Sequence, residues 1–353
     1  MNLYKNKLFT DDVIRVASMD LPWEKLGNKS ILISGATGLL GSFLIDVLMT
    51  KNKEGLDCRI NAIGRSREKM ELRFSKWWSD DHFSFIECDV NKSVLENAID
   101  SKSMDFVIHL ASNTHPMQYA TDPIGTITTN ITGLQKMLDV AVTYSAERFV
   151  FASSNEIYGE NRGDTDLFEE SYCGYINSNT LRAGYPESKR CGEALCQAYK
   201  AQKGLDIVIP RFTRSYGPTM LLSDTKAISQ FLKRGVEGKD IILKSEGTQN
   251  YSYTYVADAV SGLLFVLLLG ESGEAYNIAD EESNITLKEL ATIVAEHAGK
   301  KVVFELPDAV ESSGYSRATK ALLDGRKIKR LGWKAQYSIY EGIPRTMDIL
   351  NAV

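Results

Sequence analysis

The sequence is poor in histidine and proline and has no paired-cysteine motif. Its five cysteines are Cys58, Cys88, Cys173, Cys191 and Cys196. An odd, scattered set without a CxxC excludes a disulfide framework or a zinc ribbon and points to reduced thiols. The four histidines, His82, His109, His115 and His297, are dispersed, so no metal site is expected. No long hydrophobic run exists. The longest, 263–269, is far too short to cross a bilayer. The opening stretch MNLYKNKLFTDDVIRVASMD is charged throughout and lacks the apolar core of a signal peptide. The expectation is a cytoplasmic protein with no membrane partner. Neither sign of charge dominates. Forty-one basic against 46 acidic residues leave a net charge of −5, without the basic footprint of a nucleic-acid binder. A local anion site remains compatible with that balance.

What is present is ordinary globular composition, 43% hydrophobic and 25% charged, which excludes a disordered or collagen-like chain. At roughly 150 residues per domain, 353 residues imply two domains, or one α/β body with an appended lobe. Short apolar runs occur at 30–34, 59–63, 83–87, 106–110, 148–152 and 206–210. Helical patterns such as 125–144 and 187–202 separate most of them. This alternation predicts an α/β fold with a doubly wound parallel sheet. After Arg211 the alternation breaks into Tyr-, Ser- and Gly-rich stretches (212–225, 245–256, 305–320). These read as loops of a smaller lobe closing over the sheet's C-terminal edge, where such sheets bind ligands.

The first apolar run leads into Gly35-Ala36-Thr37-Gly38-Leu39-Leu40-Gly41 and then an amphipathic stretch. Strand, glycine turn and helix in that order form a dinucleotide fingerprint. Glycine permits the tight turn, the close approach to a pyrophosphate and the packing of helix on strand. The helix N-terminus then offers free N–H groups to the phosphates. No acidic residue follows the second strand to hold a ribose 2′-hydroxyl. Arg65, Ser66 and Arg67 stand there instead, which favours NADP over NAD, since guanidinium matches a 2′-phosphate. Asp89-Val90 closes the third strand, where a carboxylate can meet the adenine amino group.

Tyr185-Pro186-Glu187-Ser188-Lys189 is a YxxxK pattern that sets phenol and ammonium on one helix face. A nearby cation, together with an oxidised nicotinamide, is expected to lower the tyrosine pKa and make it a general base. Ser154, in Ser153-Ser154-Asn155-Glu156-Ile157-Tyr158-Gly159, supplies a hydroxyl to steady the substrate oxygen.

On these residues the chain resembles the extended short-chain dehydrogenase/reductases of the nucleotide-sugar epimerase/dehydratase family. The resemblance rests on GATGLLG, HLAS (109–112), SSNEIYG, YPESK, RSYGP (214–218) and YVADAV (255–260), and it runs from about Lys29 to Trp333. Within the family the chain is most similar to UDP-glucuronate decarboxylases, through the segments 122–133 and 182–190 and through Glu156. The resemblance implies a Rossmann-type sheet with an interleaved C-terminal substrate lobe. The expected division is an N-terminal extension (1–29), a cofactor domain (30–211 and 241–275) and a substrate lobe (212–240 and 276–353). It further implies Leu110, Ala111, Ser112 and Asn130 at the cofactor, Thr114 and Asn155 at the substrate, and a homodimer through the helices near 123–144 and 184–203. Cys191 and Cys196 are expected as buried thiols on the second of these helices.

The implied chemistry is oxidation of C4 of a nucleotide sugar to a ketone. Tyr185 takes the proton, Ser154 steadies the oxygen, Lys189 binds the nicotinamide ribose, and Glu156 acts as base or positions the ring. Decarboxylation or 4,6-dehydration follows. Alternatives are 4-epimerisation, an NADPH-dependent keto-sugar reductase, and a non-catalytic NAD(P) sensor. Two departures from the family pattern stand out. Arg214 replaces an asparagine, and Tyr251 replaces a phosphate-facing arginine, so Arg214 is expected to contact phosphate in its place. Arg317 or Lys320 falls where decarboxylases carry a further arginine. His115 follows the HLAS strand and reads as a loop residue.

Overall fold

The structure, a computed structural model, describes residues 2–92, 103–114, 116–221, 223–305 and 318–352. The expectations for His115 and Arg317 lie outside the described residues.

The strands in chain order begin with β1 (Ser30–Ser34), β2 (Arg59–Gly64), β3 (Phe83–Glu87), β4 (Phe106–His109), β5 (Arg148–Phe151), β6 (Ser153–Ser154) and β7 (Ile207–Phe212). There follow β8 (Arg214–Tyr216), β9 (Ile241–Leu243), β10 (Asn250–Tyr255), β11 (Ala275–Ile278), β12 (Asn284–Thr286), β13 (Val302–Phe304) and β14 (Lys320–Ala321). The main sheet runs β11-β7-β5-β4-β1-β2-β3, with the short β6 also against β7, and every pair is parallel. The expected doubly wound α/β sheet is therefore the observed one. Chain order reverses at β1, whose Ser34 pairs with Ile63 of β2 on one side and His109 of β4 on the other. Such a switch point opens a crevice beyond the carboxyl ends of the strands.

All five residues of β1 are buried because helices cover both faces. Ile31 and Ile33 point into one apolar core with the Leu39–Asn52 and Val256–Leu269 helices. Leu32 points into the other, with residues of the Leu134–Thr143 helix and Cys196 of the Gly184–Lys203 helix.

The chain after Arg211 is more regular than its sequence suggests. The stretches 212–225 and 245–256 contain β8 and β10, which pair with each other, and β10 also pairs with β12 and β14. Tyr251, Tyr253 and Tyr255 are buried, and so are Ser252 and Thr254 between them. Residues 251–255 alternate Tyr with Ser and Thr, a short strand pattern that the flanking Ser, Gly, Gln and Asn residues hid, so it read as a loop. β9 pairs with β13 in a separate two-stranded sheet. Within 241–275, the stretch from Val256 onward is the part that packs on the main sheet.

The N-terminal segment is built into the body. Its Lys7–Ala17 helix packs on the Leu39–Asn52 helix and buries Phe9 and Val16. Asp12, fully buried, accepts hydrogen bonds from the Tyr255 and Tyr337 hydroxyls and from Arg345 Nε (2.8 and 3.0 Å). That knot joins the first helix, β10 and the C-terminal Ile339–Asn351 helix. The thiols of the Gly184–Lys203 helix part company. Cys196 is buried, but Cys191 is exposed. Five residues of helix rotate a side chain by about 140°, so the two cannot share a face.

Candidate active site

The glycine turn sits at the carboxyl end of β1. Gly35 has φ +70°, and a Cβ there would come within 2.7 Å of the Leu110–Ala111 backbone. A Cβ on Gly41 would strike the Gly35 carbonyl at 2.4 Å, so helix and turn touch backbone to backbone. Gly38 differs. It precedes the Leu39–Asn52 helix, where no side chain caps the N-terminus, and a Cβ there would meet only the Gly35 carbonyl, at 3.2 Å. Glycine at 38 thus leaves open space in front of uncapped helical N–H groups, a cradle that fits a dinucleotide pyrophosphate.

Gly35, Gly38, Leu39, Leu40, Gly41, Leu110 and Ser112 line a cavity of about 630 Å³. Thr114, Ser154, Asn155, Glu156, Tyr185, Lys189, Arg214 and Tyr251 line the same cavity, so the main sheet and the strands β8 and β10 both contribute to its wall. Thr37 and Ala111 are half-buried in the adjoining turns.

The Gly184–Lys203 helix presents Tyr185 and Lys189 one turn apart, both buried. Lys189 Nζ donates to the Ala152 carbonyl at 2.8 Å and lies 6.0 Å from the Tyr185 ring centroid. Ser154 ends β6 and faces the phenol; its Oγ also accepts the Glu156 amide at 3.2 Å. Asn130 lies in a π-helical segment, Thr129–Gly133, within the helical stretch 123–143. It is fully buried, donates to Ser188 Oγ at 2.9 Å and accepts from Ser112 Oγ at 2.7 Å. The wide turn aims Asn130 inward, tying the HLAS strand end to the tyrosine helix.

Burial dominates the electrostatics. It pushes Lys189 down to about 7. The Tyr185 phenol, by contrast, is raised, first by burial and then by the Glu156 carboxylate; Ser154, Arg182 and Ser112 oppose the rise. Arg182 thus favours ionisation of Tyr185, but in the protein alone burial and Glu156 outweigh it; the expected lowering includes the charge of an oxidised nicotinamide. His109, under the site, is buried, bonds Ser34 Oγ through Nδ1 (2.8 Å) and is held neutral, its pKa pushed down to about 3 by burial and by Lys189.

Three further residues line the wall. Tyr119 stacks on Tyr185 with ring centroids 4.8 Å apart and planes 23° from parallel. Arg182 lies over Tyr119 (4.8 Å from guanidinium carbon to centroid), and its Nη2 donates to both Glu156 oxygens at 2.7 Å. Lys226 reaches Thr114 Oγ1 and Asp224, each at 3.2 Å. Of the three, only Arg182 had a positional cue, three residues before Tyr185.

At the far end Arg214 covers Tyr251, whose hydroxyl donates to the Ala318 carbonyl at 2.7 Å. Arg214 Nη1 is buried without a hydrogen-bond partner among the described residues. Lys320, at the start of β14, instead pairs with exposed Asp166 at 2.9 Å and does not line the cavity.

Beyond β2, Arg65 is exposed and Ser66 caps the Arg67–Arg73 helix by accepting the Lys69 amide. Arg67 packs over Trp78 and Phe85. Asp89 Oδ1 accepts the Asn91 amide at 3.0 Å, and Val90 packs against Gly133 of the π-helical segment.

Residues 31–279 match the model of the NAD dependent epimerase/dehydratase family, and the chain belongs to that family of enzymes. It is 31% identical over 318 residues to UDP-glucuronic acid decarboxylase 3 of Arabidopsis thaliana, covering 90% of this chain and 87% of that protein. To UDP-glucuronic acid decarboxylase 1 of Danio rerio it is 30% identical over 324 residues, 92% of this chain and 73% of the other. Among solved structures, the UDP-glucuronic acid 4-epimerase of Bacillus cereus, in complex with UDP-glucuronic acid and NAD, superposes with a TM-score of 0.78 at 22% identity, over 92% of this chain and 99% of that one. The dTDP-glucose 4,6-dehydratase of Streptomyces venezuelae with NAD bound gives 0.78 at 24%, over 92% and 97%. These structural likenesses establish the shared fold. No described helix is long and apolar enough to cross a membrane, and no cluster of metal-ligating side chains occurs among the described residues.

Proposed function

We propose that this enzyme oxidises C4 of a nucleotide-linked sugar, and that the 4-keto sugar then loses carbon dioxide or water. The reading is carried by one juxtaposition: Tyr185, Ser154 and Lys189 line the same cavity as the Gly35–Gly38–Gly41 turn. Gly38 to Gly41 would cradle the pyrophosphate, Asn130 and Ser112 would support the nicotinamide end, and Lys189 would hold its ribose. When bound, the nicotinamide supplies the hydride acceptor and a positive charge beside the phenol. Tyr185 takes the O4 proton as the C4 hydrogen leaves with its electron pair, and Ser154 donates to the forming carbonyl oxygen. The C4 ketone makes a 6-carboxylate sugar a β-keto acid, which releases carbon dioxide without a further base. Glu156 is held by Arg182 through both oxygens, so positioning the ring is its favoured role.

The decarboxylase relatives make a UDP-hexuronate the first substrate to try. Incubation with UDP-glucuronate, UDP-glucose, dTDP-glucose and GDP-mannose, followed by mass spectrometry, separates loss of carbon dioxide, loss of water and unchanged mass. No product from any of them would overturn the reading. Arg214, with its unpartnered Nη1, is assigned to the substrate diphosphate, together with Thr114, Asn155 and Tyr251; Lys320, paired with Asp166 away from the cavity, is not, and Arg317 keeps a role on the family resemblance alone. NADP is the favoured cofactor because Arg65 stands exposed after β2 where NAD sites carry an acid. Arg65 also supports a second reading, a reductase that exchanges NADPH; stoichiometric NADPH consumption by cofactor-free protein would select it. The cofactor-body and substrate-lobe division, a cytoplasmic location and a homodimer complete the proposal. Exposed Ile124, Ile127 and Leu181 beside the Gly184–Lys203 helix support the dimer.

A further inference from the structure

We infer that Arg182 is a positioning residue that neutralises Glu156 so that the carboxylate can sit beside Tyr185 without blocking its ionisation. This rests on the proposed role of Tyr185 as base. The geometry is a closed stack. Arg182 Nη2 holds both Glu156 oxygens at 2.7 Å, its guanidinium covers Tyr119, and Tyr119 lies against the Tyr185 ring. Arg182 comes from the turn Leu181–Ala183, Glu156 from the turn Asn155–Tyr158, and Tyr119 from the Pro116–Thr121 helix, so three separate elements converge on one phenol. Both partners of the ion pair are largely buried, with side chains 17% and 20% exposed. A buried carboxylate without its cation would act on the phenol through a poorly screened field.

The other charged groups facing this cluster leave Arg182 as the counter-ion. Lys189 stands 6.0 Å from the Tyr185 ring centroid and donates to the Ala152 carbonyl, with burial weakening its charge. Arg214 lies over Tyr251, which itself feels both Glu156 and Arg182. Asp224, an acid, acts on Tyr119 and pairs with Lys226. For Tyr185 itself, Glu156 opposes ionisation and Arg182 favours it.

The test uses protein loaded with NAD or NADP and labelled with [ζ-¹³C]tyrosine, the Tyr185 signal being assigned by its loss in Tyr185→Phe. Arg182→Gln should move the Tyr185 titration upward by about one pH unit or more, a tenfold or greater change in ionisation. The double variant Arg182→Gln/Glu156→Gln should return it close to the wild-type value, and Arg182→Lys should restore it in part. The acid limb of kcat should move in parallel while KM moves less. A Tyr185 titration unchanged in Arg182→Gln, or a double variant displaced as far as the single one, would overturn the inference. A wild-type Tyr185 that stays protonated throughout would instead overturn its role as base, and the inference with it.

Discussion

Arg214 places its guanidinium carbon 3.4 Å from the ring centroid of Tyr251. The two stand on neighbouring parallel strands, where Arg214 pairs with Tyr253, so Tyr251 is its diagonal neighbour. At this end of the cavity a positive charge is presented from β8 and braced on an aromatic face. Arg214→Gln should therefore raise KM for the nucleotide sugar about tenfold or more, the worth of one charge-assisted contact, with a smaller change in kcat. An unchanged KM would remove Arg214 from the diphosphate.

Tyr185→Phe removes the proton acceptor and leaves the stack on Tyr119 in place. Turnover should fall by about 10² to 10⁴ while cofactor binding persists. Single-turnover absorbance of the reduced nicotinamide checks this; full activity would refute the mechanism.

Arg65→Ala should weaken NADP and leave NAD almost unaffected, read as two dissociation constants by titration. Equal losses for both, or none, would deny Arg65 a role at the 2′-phosphate.

Lys189 is buried, and its folded pKa, about 7, lies below the ordinary lysine value. Folding of cofactor-free protein therefore releases a proton between about pH 7 and pH 10, and stability gains roughly 1.4 kcal/mol per pH unit across that window. The gain is lost as pH falls from about 10 to 7, and below 7 the group contributes no further change. Denaturant unfolding of wild type and Lys189→Met should diverge accordingly, the wild type gaining with pH relative to the variant. Parallel curves would contradict the burial argument.

Asp12→Ala strands Arg345 and the hydroxyls of Tyr255 and Tyr337 around an empty centre. The expected loss is about 3–5 kcal/mol, with Asp12→Asn milder because it keeps hydrogen-bonding capacity. Denaturant midpoints measure both. A neutral Asp12→Ala would mean the N-terminal helix is not tied in through this group.

Local sequence carried most of the cofactor half. Apolar strand, Gly35–Gly38–Gly41 and helix are adjacent in the chain, so their physics is readable in order, and the positive φ of Gly35 is a demand only glycine meets cheaply. Tyr185 and Lys189 were equally legible, because helix geometry alone puts them on one face. The rest needed contacts between residues far apart. Asp12 meets Arg345 across almost the whole chain, which is why residues 1–29 read as an extension. β10 was hidden because its short Tyr-Ser-Tyr-Thr-Tyr alternation sits in a Ser-, Gly- and Asn-containing stretch that reads as loop. Glu156 was visible as a carboxylate, but its partner Arg182, and Tyr119 between Arg182 and Tyr185, are joined only by packing. Sequence thus determined where the glycine turn must be and that Tyr185 and Lys189 share a face. Tertiary structure decided which charges face each other, because the field at a buried phenol depends on distances that no local pattern encodes.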